Sequence, residues 1–255
     1  MNKLEERTDG KYIINKIAFK PIAEFKPETI EMAFNFSYDM SFGRSGEHRD
    51  HRSGGTYKRK LGEIFANTFQ GKLSEFAIYN TLYKEFPQMR MPDLDTWDLG
   101  KWDDTDFEIN KYFLSVKSTK AFGNLLLLET KDWNENGEYI PNLAIDGAHS
   151  LYDFFILVRI SPYCEDILKQ HKMLFSNEVD KENLKDILIN QKWTYDIPGF
   201  VSHKDIREVI TNKHIIKQGE MLNGKTRMDA ENYYIQTGDM RKIEELIKLL
   251  KISKK

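Results

Sequence analysis

A mixed α/β fold, with a central sheet flanked by helices and additional helical segments, is what three features of this sequence predict. The first is a long helix-period pattern over residues 63–86. The second is a strand-turn-strand pattern over residues 106–117, and the third is the apolar run Leu151–Ile160 (LYDFFILVRI), rich in β-branched and aromatic residues. Helix, hairpin, buried strand and further helices fit a sheet covered on at least one face. The chain of 255 residues suffices for one full core, so a single domain over 1–255 is expected. Its core spans about 60–160, and a helical part at 163–255 could stand as a subdomain.

Residues 1–40 read as a polar start and a mixed segment ending near Asn35-Phe36-Ser37. Gly43 to Gly55 is rich in Gly, Ser and Arg, lacks an apolar period and reads as a loop. From Glu63 to Phe86, the residues Phe65, Phe69, Leu73, Phe76, Tyr79 or Tyr83, and Phe86 recur at intervals of three and four, which predicts one amphipathic helix that Gly71 could kink. Pro87 and Pro92 end it. Leu125–Leu128 fits strand or buried helix equally, Asn134-Glu135-Asn136-Gly137 is a turn, and Pro162 ends the buried run. Residues 163–175, 180–190 and 204–211 predict three helices, and Ile243, Leu246, Ile247 and Leu250 mark an amphipathic C-terminal helix.

Charge is balanced overall, with 38 basic against 40 acidic residues, which excludes a generally basic nucleic-acid coat protein. An anionic partner must therefore be met locally. Residues 41–60 carry six Arg/Lys against two acids, and residues 91–110 carry seven acids against Lys101. That concentration of like charge is costly unless cations lie nearby. The single cysteine, Cys164, excludes an internal disulfide and a multi-cysteine zinc site, as suits a reducing cytoplasm. The start Met-Asn-Lys-Leu-Glu-Glu-Arg shows no secretory pattern, and no stretch approaches the ~18 apolar residues of a membrane span, so a cytoplasmic location without membrane contact is expected.

The most informative stretch is Asp106-Phe107-Glu108-Ile109-Asn110-Lys111-Tyr112-Phe113-Leu114-Ser115-Val116-Lys117. Residues i and i+2 of a strand share a face, so Asp106 aligns with Glu108, and Ser115 with Lys117. With Asn110-Lys111 as the turn, Asp106 opposes Ser115 and all four polar groups point to one side, leaving Phe107, Ile109, Leu114 and Val116 as the apolar face. Phosphodiester hydrolysis by a hard divalent cation needs oxygen ligands and a nearby cation, and this face supplies both types of group. Lys117, set in an otherwise apolar strand, requires an anionic neighbour such as Asp106 or a phosphate.

The order Gly71-Lys72-Leu73-Ser74-Glu75 on a helix, then Asp106, then Ser115-Val116-Lys117-Ser118-Thr119 resembles the PD-(D/E)xK superfamily of restriction-endonuclease-like nucleases. That family's core is a helix carrying a glutamate, an antiparallel hairpin carrying Asp and (Asp/Glu)-x-Lys, then a helix and a further strand. The resemblance covers roughly residues 60–160. It implies a restriction-endonuclease-like core, with Asp106 as the metal-binding aspartate, Lys117 as the catalytic lysine, Glu75 as the helix glutamate and the Val116 backbone carbonyl completing the metal shell. Ser115 stands where the family carries an acid, so a carboxylate must come from elsewhere. Glu75 is the first choice, with Glu108 and Glu129 behind it, while Asp104 could oppose Lys117 across the hairpin.

The activity implied is Mg2+-dependent hydrolysis of double-stranded DNA by a Type II restriction endonuclease acting as a homodimer, with a cognate DNA methyltransferase as genomic neighbour. A repair or recombination nuclease of the same fold, and a catalytically silent DNA-binding protein, are the alternatives. Arg44, Arg49, Arg52, Lys58, Arg59 and Lys60 would contact DNA, arginines reading guanine edges and lysines holding phosphates. His48 and His51 lack a third ligand at matching spacing, and Cys164 near His171 reads as a buried structural thiol rather than a nucleophile.

Overall fold

Residues Phe154 to Ile160 are all buried, because this segment lies in the middle of a sheet with packed layers on both faces. The computed structural model describes residues 1–7, 11–43, 59–95, 105–145, 147–222 and 226–252. In chain order, β1 (Glu5–Glu6), β2 (Tyr12–Ile13) and β3 (Ala23–Glu24) precede α1 (Pro27–Ser41) and α2 (Leu61–Leu82). They are followed by β4 (Phe107–Ile109), β5 (Tyr112–Lys120), β6 (Leu125–Glu129), α3 (Ile140–Leu143) and β7 (Phe154–Ser161). Next come α4 (Cys164–Gln170), α5 (Lys181–Ile189), β8 (Thr194–Ser202) and α6 (His203–Thr211). The chain ends with β9 (Ile215–Ile216), β10 (Met221–Leu222), β11 (Thr226–Arg227), β12 (Asn232–Gln236) and α7 (Ile243–Leu250).

The architecture is mixed α/β. The main sheet has the order β3-β8-β7-β5-β4, in which β5 and β7 are parallel and the other neighbours antiparallel. A second sheet has the order β6-β12-β9. A parallel pair requires a crossover of a dozen or more residues. Here the crossover between β5 and β7 carries β6, which pairs with β12, and the four-residue α3. The family pattern expects a substantial helix at this point.

Alternation along β7 divides the core. Ile156, Val158 and Ile160 join Phe34, Phe65, Phe69, Leu73 and Phe76 from α1 and α2, whereas Phe155 and Leu157 join Trp133, Tyr152, Ile206 and Ile235 on the other face. The residues of α2 at positions 65, 69, 73 and 76 are buried as their spacing predicts, and the helix runs unbroken through Gly71. Its start is fixed by the Glu63 carboxylate accepting from the Lys60 N–H at 2.8 Å and by the Gly62 N–H donating to the Ser176 carbonyl at 3.0 Å. A Cβ at Gly62 would lie 2.2 Å from the Met173 carbonyl oxygen, so this end of α2 tolerates glycine alone.

Three elements differ from the sequence expectation. The mixed segment before residue 40 contains α1, whose period is hidden by Ser37 and Ser41 at buried positions. Their hydroxyls donate back to the Ala33 and Ser37 carbonyls at 2.7 and 2.6 Å, which makes a polar residue acceptable in the core. The region expected to be helical from 163 onward also supplies β8 to the main sheet and β12 to the second. Pro198 and Gly199 obscure β8; the strand accommodates them at a register shift against Leu157 and Arg159. The undecided Leu125–Leu128 run lies in β6.

Candidate metal and phosphate site at the open end of the hairpin

The hairpin folds on a two-residue turn. Asn110 and Lys111 have φ of 50° and 67°, and Ile109 pairs with Tyr112, Glu108 with Phe113 and Phe107 with Leu114. Two successive positive φ values match the twist of the flanking strands. Phe107, Ile109, Leu114 and Val116 are buried in the core that contains α2. Asp106, Ser115 and Lys117 together line a cavity of about 360 Å3 on the opposite face.

The ladder stops at Phe107, paired with Leu114, two residues short of the position that would face Val116. Val116 therefore has no strand partner on that side, and its N–H donates to Asp106 Oδ2 at 2.6 Å. In an extended strand the N–H and C=O of one residue point to the same side. Phe113 illustrates the alternation, since its N–H meets the Asp153 carboxylate at 2.9 Å and its carbonyl accepts from the Asp153 N–H at 2.8 Å, both toward β7. By the same geometry the Val116 carbonyl points toward the side where Asp106 lies.

The Lys117 side chain makes no hydrogen bond or ion pair among the described residues, and Lys117 lines the cavity together with Trp133, Tyr139 and Tyr152. Ser115, 1% exposed, offers its hydroxyl to the same space without a hydrogen bond to any described residue. Asn142 closes the far side, its amide donating to the His149 carbonyl at 2.7 Å. Sequence patterns do not indicate Trp133, Tyr139, Asn142 or Tyr152. They lie in the crossover between β5 and β7, and the only local signal is aromatic residues within a polar, Asn- and Gly-containing stretch.

Asp106 also borders a second, larger cleft of about 820 Å3. Glu108, Asp93 and Asp95 line it with Arg90 and His149, and the His149 ring stacks on Phe113 at 3.8 Å between centroids. Glu108 is thus a second carboxylate that the described residues bring to the same space as Asp106. Glu75 lines neither cavity: its carboxylate accepts from Lys72 Nζ at 2.7 Å, and that ammonium also donates to the Asp93 carbonyl at 2.7 Å. Its link to the cleft runs through Lys72 and Asp93. Glu129, at the end of β6, faces Asn232 of β12 in the second sheet and lines neither cavity.

Among the described residues no three His, Cys, Asp or Glu side chains gather to hold a metal ion. Asp106 and the Val116 carbonyl provide hard oxygen donors, which suits Mg2+, an ion that keeps several waters and uses one or two carboxylates plus substrate phosphates.

Of the residues expected to contact DNA, Arg44, Arg49, Arg52 and Lys58 lie outside the described residues, as do His48, His51 and Asp104. Arg59 and Lys60 stand just before α2. Fifteen positions separate Lys60 from Glu75, about 20 Å along a helix at about 1.5 Å per residue, so they are far from Lys72 and Glu75. Cys164 is fully buried, and burial pushes its thiol well above the usual cysteine range, which makes it a packing residue. Comparison with family models, with characterised proteins and with solved structures gives no match for this chain.

Proposed function

We propose that this chain is a Mg2+-dependent nuclease with a restriction-endonuclease-like core, cutting DNA phosphodiester bonds at the cavity beside the open end of the β4–β5 hairpin. The observation that carries the reading is the meeting of Asp106, Ser115 and Lys117 in one cavity, with Lys117 lacking any partner among the described residues. A half-exposed ammonium with no described ion-pair partner leaves its donors open to an incoming anion, and a scissile phosphate would be that anion. The order helix α2, hairpin β4–β5 and parallel strand β7 is consistent with this reading, though the intervening helix is short.

Asp106 and the Val116 carbonyl would hold the ion, and Glu108, which lines the adjoining cleft that Asp106 also borders, would be the carboxylate in place of the acid that Ser115 does not supply. The hydrogen bond from Val116 fixes one Asp106 oxygen and leaves the other to bind. When bound, Mg2+ supplies charge neutralisation at the phosphate and lowers the pKa of water. Lys117 would orient the attacking water and stabilise charge on the phosphate, and Ser115 Oγ would donate to a non-bridging oxygen. Water would attack phosphorus and give up a proton to solvent, the bond to the 3′ oxygen would break, and that oxygen would take a proton from solvent water, leaving a 3′-hydroxyl and a 5′-phosphate.

Within this class we favour a Type II restriction endonuclease acting as a homodimer on duplex DNA. A supercoiled-plasmid assay with Mg2+ and an EDTA control tests the reading. Discrete fragments support restriction, and structure-selective nicking supports a repair nuclease. Binding without cleavage refutes catalysis and favours a silent DNA-binding protein, the reading to which Ser115 lends weight.

A further inference from the structure

The cavity beside Lys117 is shaped for more than a phosphate. Trp133 lies against Tyr139 at 5.1 Å and Tyr152 at 6.2 Å between ring centroids, so three aromatic side chains form one wall. The Trp133 indole N–H makes no hydrogen bond among the described residues, although the side chain is only 5% exposed. Indole, Ser115 hydroxyl and Lys117 ammonium are thus three donors at one cavity, while Asn142 is held in its wall by donating to the His149 carbonyl and the Tyr152 hydroxyl.

We infer that this cavity takes one unstacked nucleotide, its phosphate at Lys117 and Ser115 and its base against the aromatic wall. Aromatic faces accept any base by stacking, and an indole donor meets an acceptor on the polar edge of a base that has lost its pairing partner. Size points the same way. At about 360 Å3 the cavity stands at the lower end of small-molecule sites, about 300–1,000 Å3. The inference rests on the nuclease reading for the ligand being nucleic acid, and it narrows the substrate to a strand that is single or locally opened at the cut.

Binding of the full chain in Ca2+, where chemistry is not required, tests this. The probes are a labelled single-stranded oligonucleotide, the same strand fully paired, and the paired form with one mismatch. The single strand and the mismatched duplex are expected to bind at least about 10-fold more tightly than the paired duplex, the scale of stacking one base. A 5-iodouracil in the unpaired strand should photo-crosslink to Trp133, Tyr139 or Tyr152. Tyr139→Ala, at a partly exposed position, should weaken the single strand about 10-fold, and Trp133→Phe, which retains the packing, should weaken it less. Equal binding of all forms, adducts mapping outside this wall, or no binding overturns the inference. Duplex cleavage without such adducts leaves the nuclease reading standing and removes the nucleotide pocket. Adducts without cleavage in Mg2+ do the reverse.

Discussion

Arg159 and Lys117 are cations on adjacent parallel strands and on the same face of the sheet, yet the fold treats them oppositely. Lys117 pairs in register with Leu157, and Arg159 is two residues further along β7. Arg159 is fully buried and saturated: its Nε and Nη2 donate to both Asp196 oxygens at 2.8 and 2.5 Å, and Nη1 reaches the Ile17 carbonyl at 2.7 Å and Asn124 Oδ1 at 3.1 Å. Lys117 has no partner among the described residues and borders a cavity. A buried charge whose donors are all met organises structure, here tying β7, β8 and the chain at Ile17 together. A half-exposed charge with no side-chain partner keeps its donors open to solvent or to a ligand.

This contrast can be broken most decisively at Lys117. Lys117→Ala should lower the cleavage rate by about 10²–10⁴-fold, the range for loss of a proton-transfer or charge-stabilising group. The unfolding midpoint should change little, because no described side-chain partner is orphaned, while DNA binding in Ca2+ should weaken only by the loss of one phosphate contact. Cutting that survives the substitution would refute the assigned role. At the opposite pole, Arg159→Ala should destabilise the fold by about 3–5 kcal/mol in denaturant titrations, since Asp196 would be left buried and uncompensated. Arg159→Met combined with Asp196→Leu should recover much of that loss, and failure to do so would show that the backbone contacts to Ile17 and Ala18 matter more than the ion pair.

Smaller effects sharpen the same distinction. Cys164→Ser would place a hydroxyl in an apolar, fully buried position at a cost of about 1–3 kcal/mol, and in the wild-type protein the thiol should react with a disulfide reagent only on unfolding. Fast labelling of the native protein would contradict its burial. The hairpin turn gives the smallest expected change. Lys111→Gly should stabilise by up to about 1 kcal/mol, because a lysine at φ 67° carries the left-handed penalty that glycine avoids. Loss of stability would indicate that the Lys111 side chain contributes contacts which outweigh the backbone term.

Legibility in the sequence followed the regularity of each segment. Phe65, Phe69, Leu73 and Phe76 announce α2 because one face repeats every three or four residues, and the alternation from Phe107 to Val116 announces the hairpin with its turn. Ser37 and Ser41 concealed α1, since serines at core positions erase the period while satisfying their hydroxyls within the helix. Pro198 and Gly199 concealed β8, because they contradict a strand until a register shift accommodates them. The candidate site divides in the same way. Asp106 and Lys117 were accessible to strand arithmetic, but Glu75 was placed by order along the chain, and order does not say that its carboxylate is held by Lys72.

By itself the sequence determined the local geometry: the helix periods, the turn at Asn110-Lys111, the shared face of Asp106, Ser115 and Lys117, and the burial of the β7 run. Those follow from contacts within a few residues. Only the tertiary structure decided that Trp133, Tyr139, Asn142 and Tyr152 enclose that face, that Glu108 rather than Glu75 borders the same cleft as Asp106, and that Arg159 is satisfied while Lys117 is not. The physical reason is the parallel pairing of β5 with β7. It sends the intervening chain across the sheet, and the side chains it deposits there depend on long-range packing that no local period encodes.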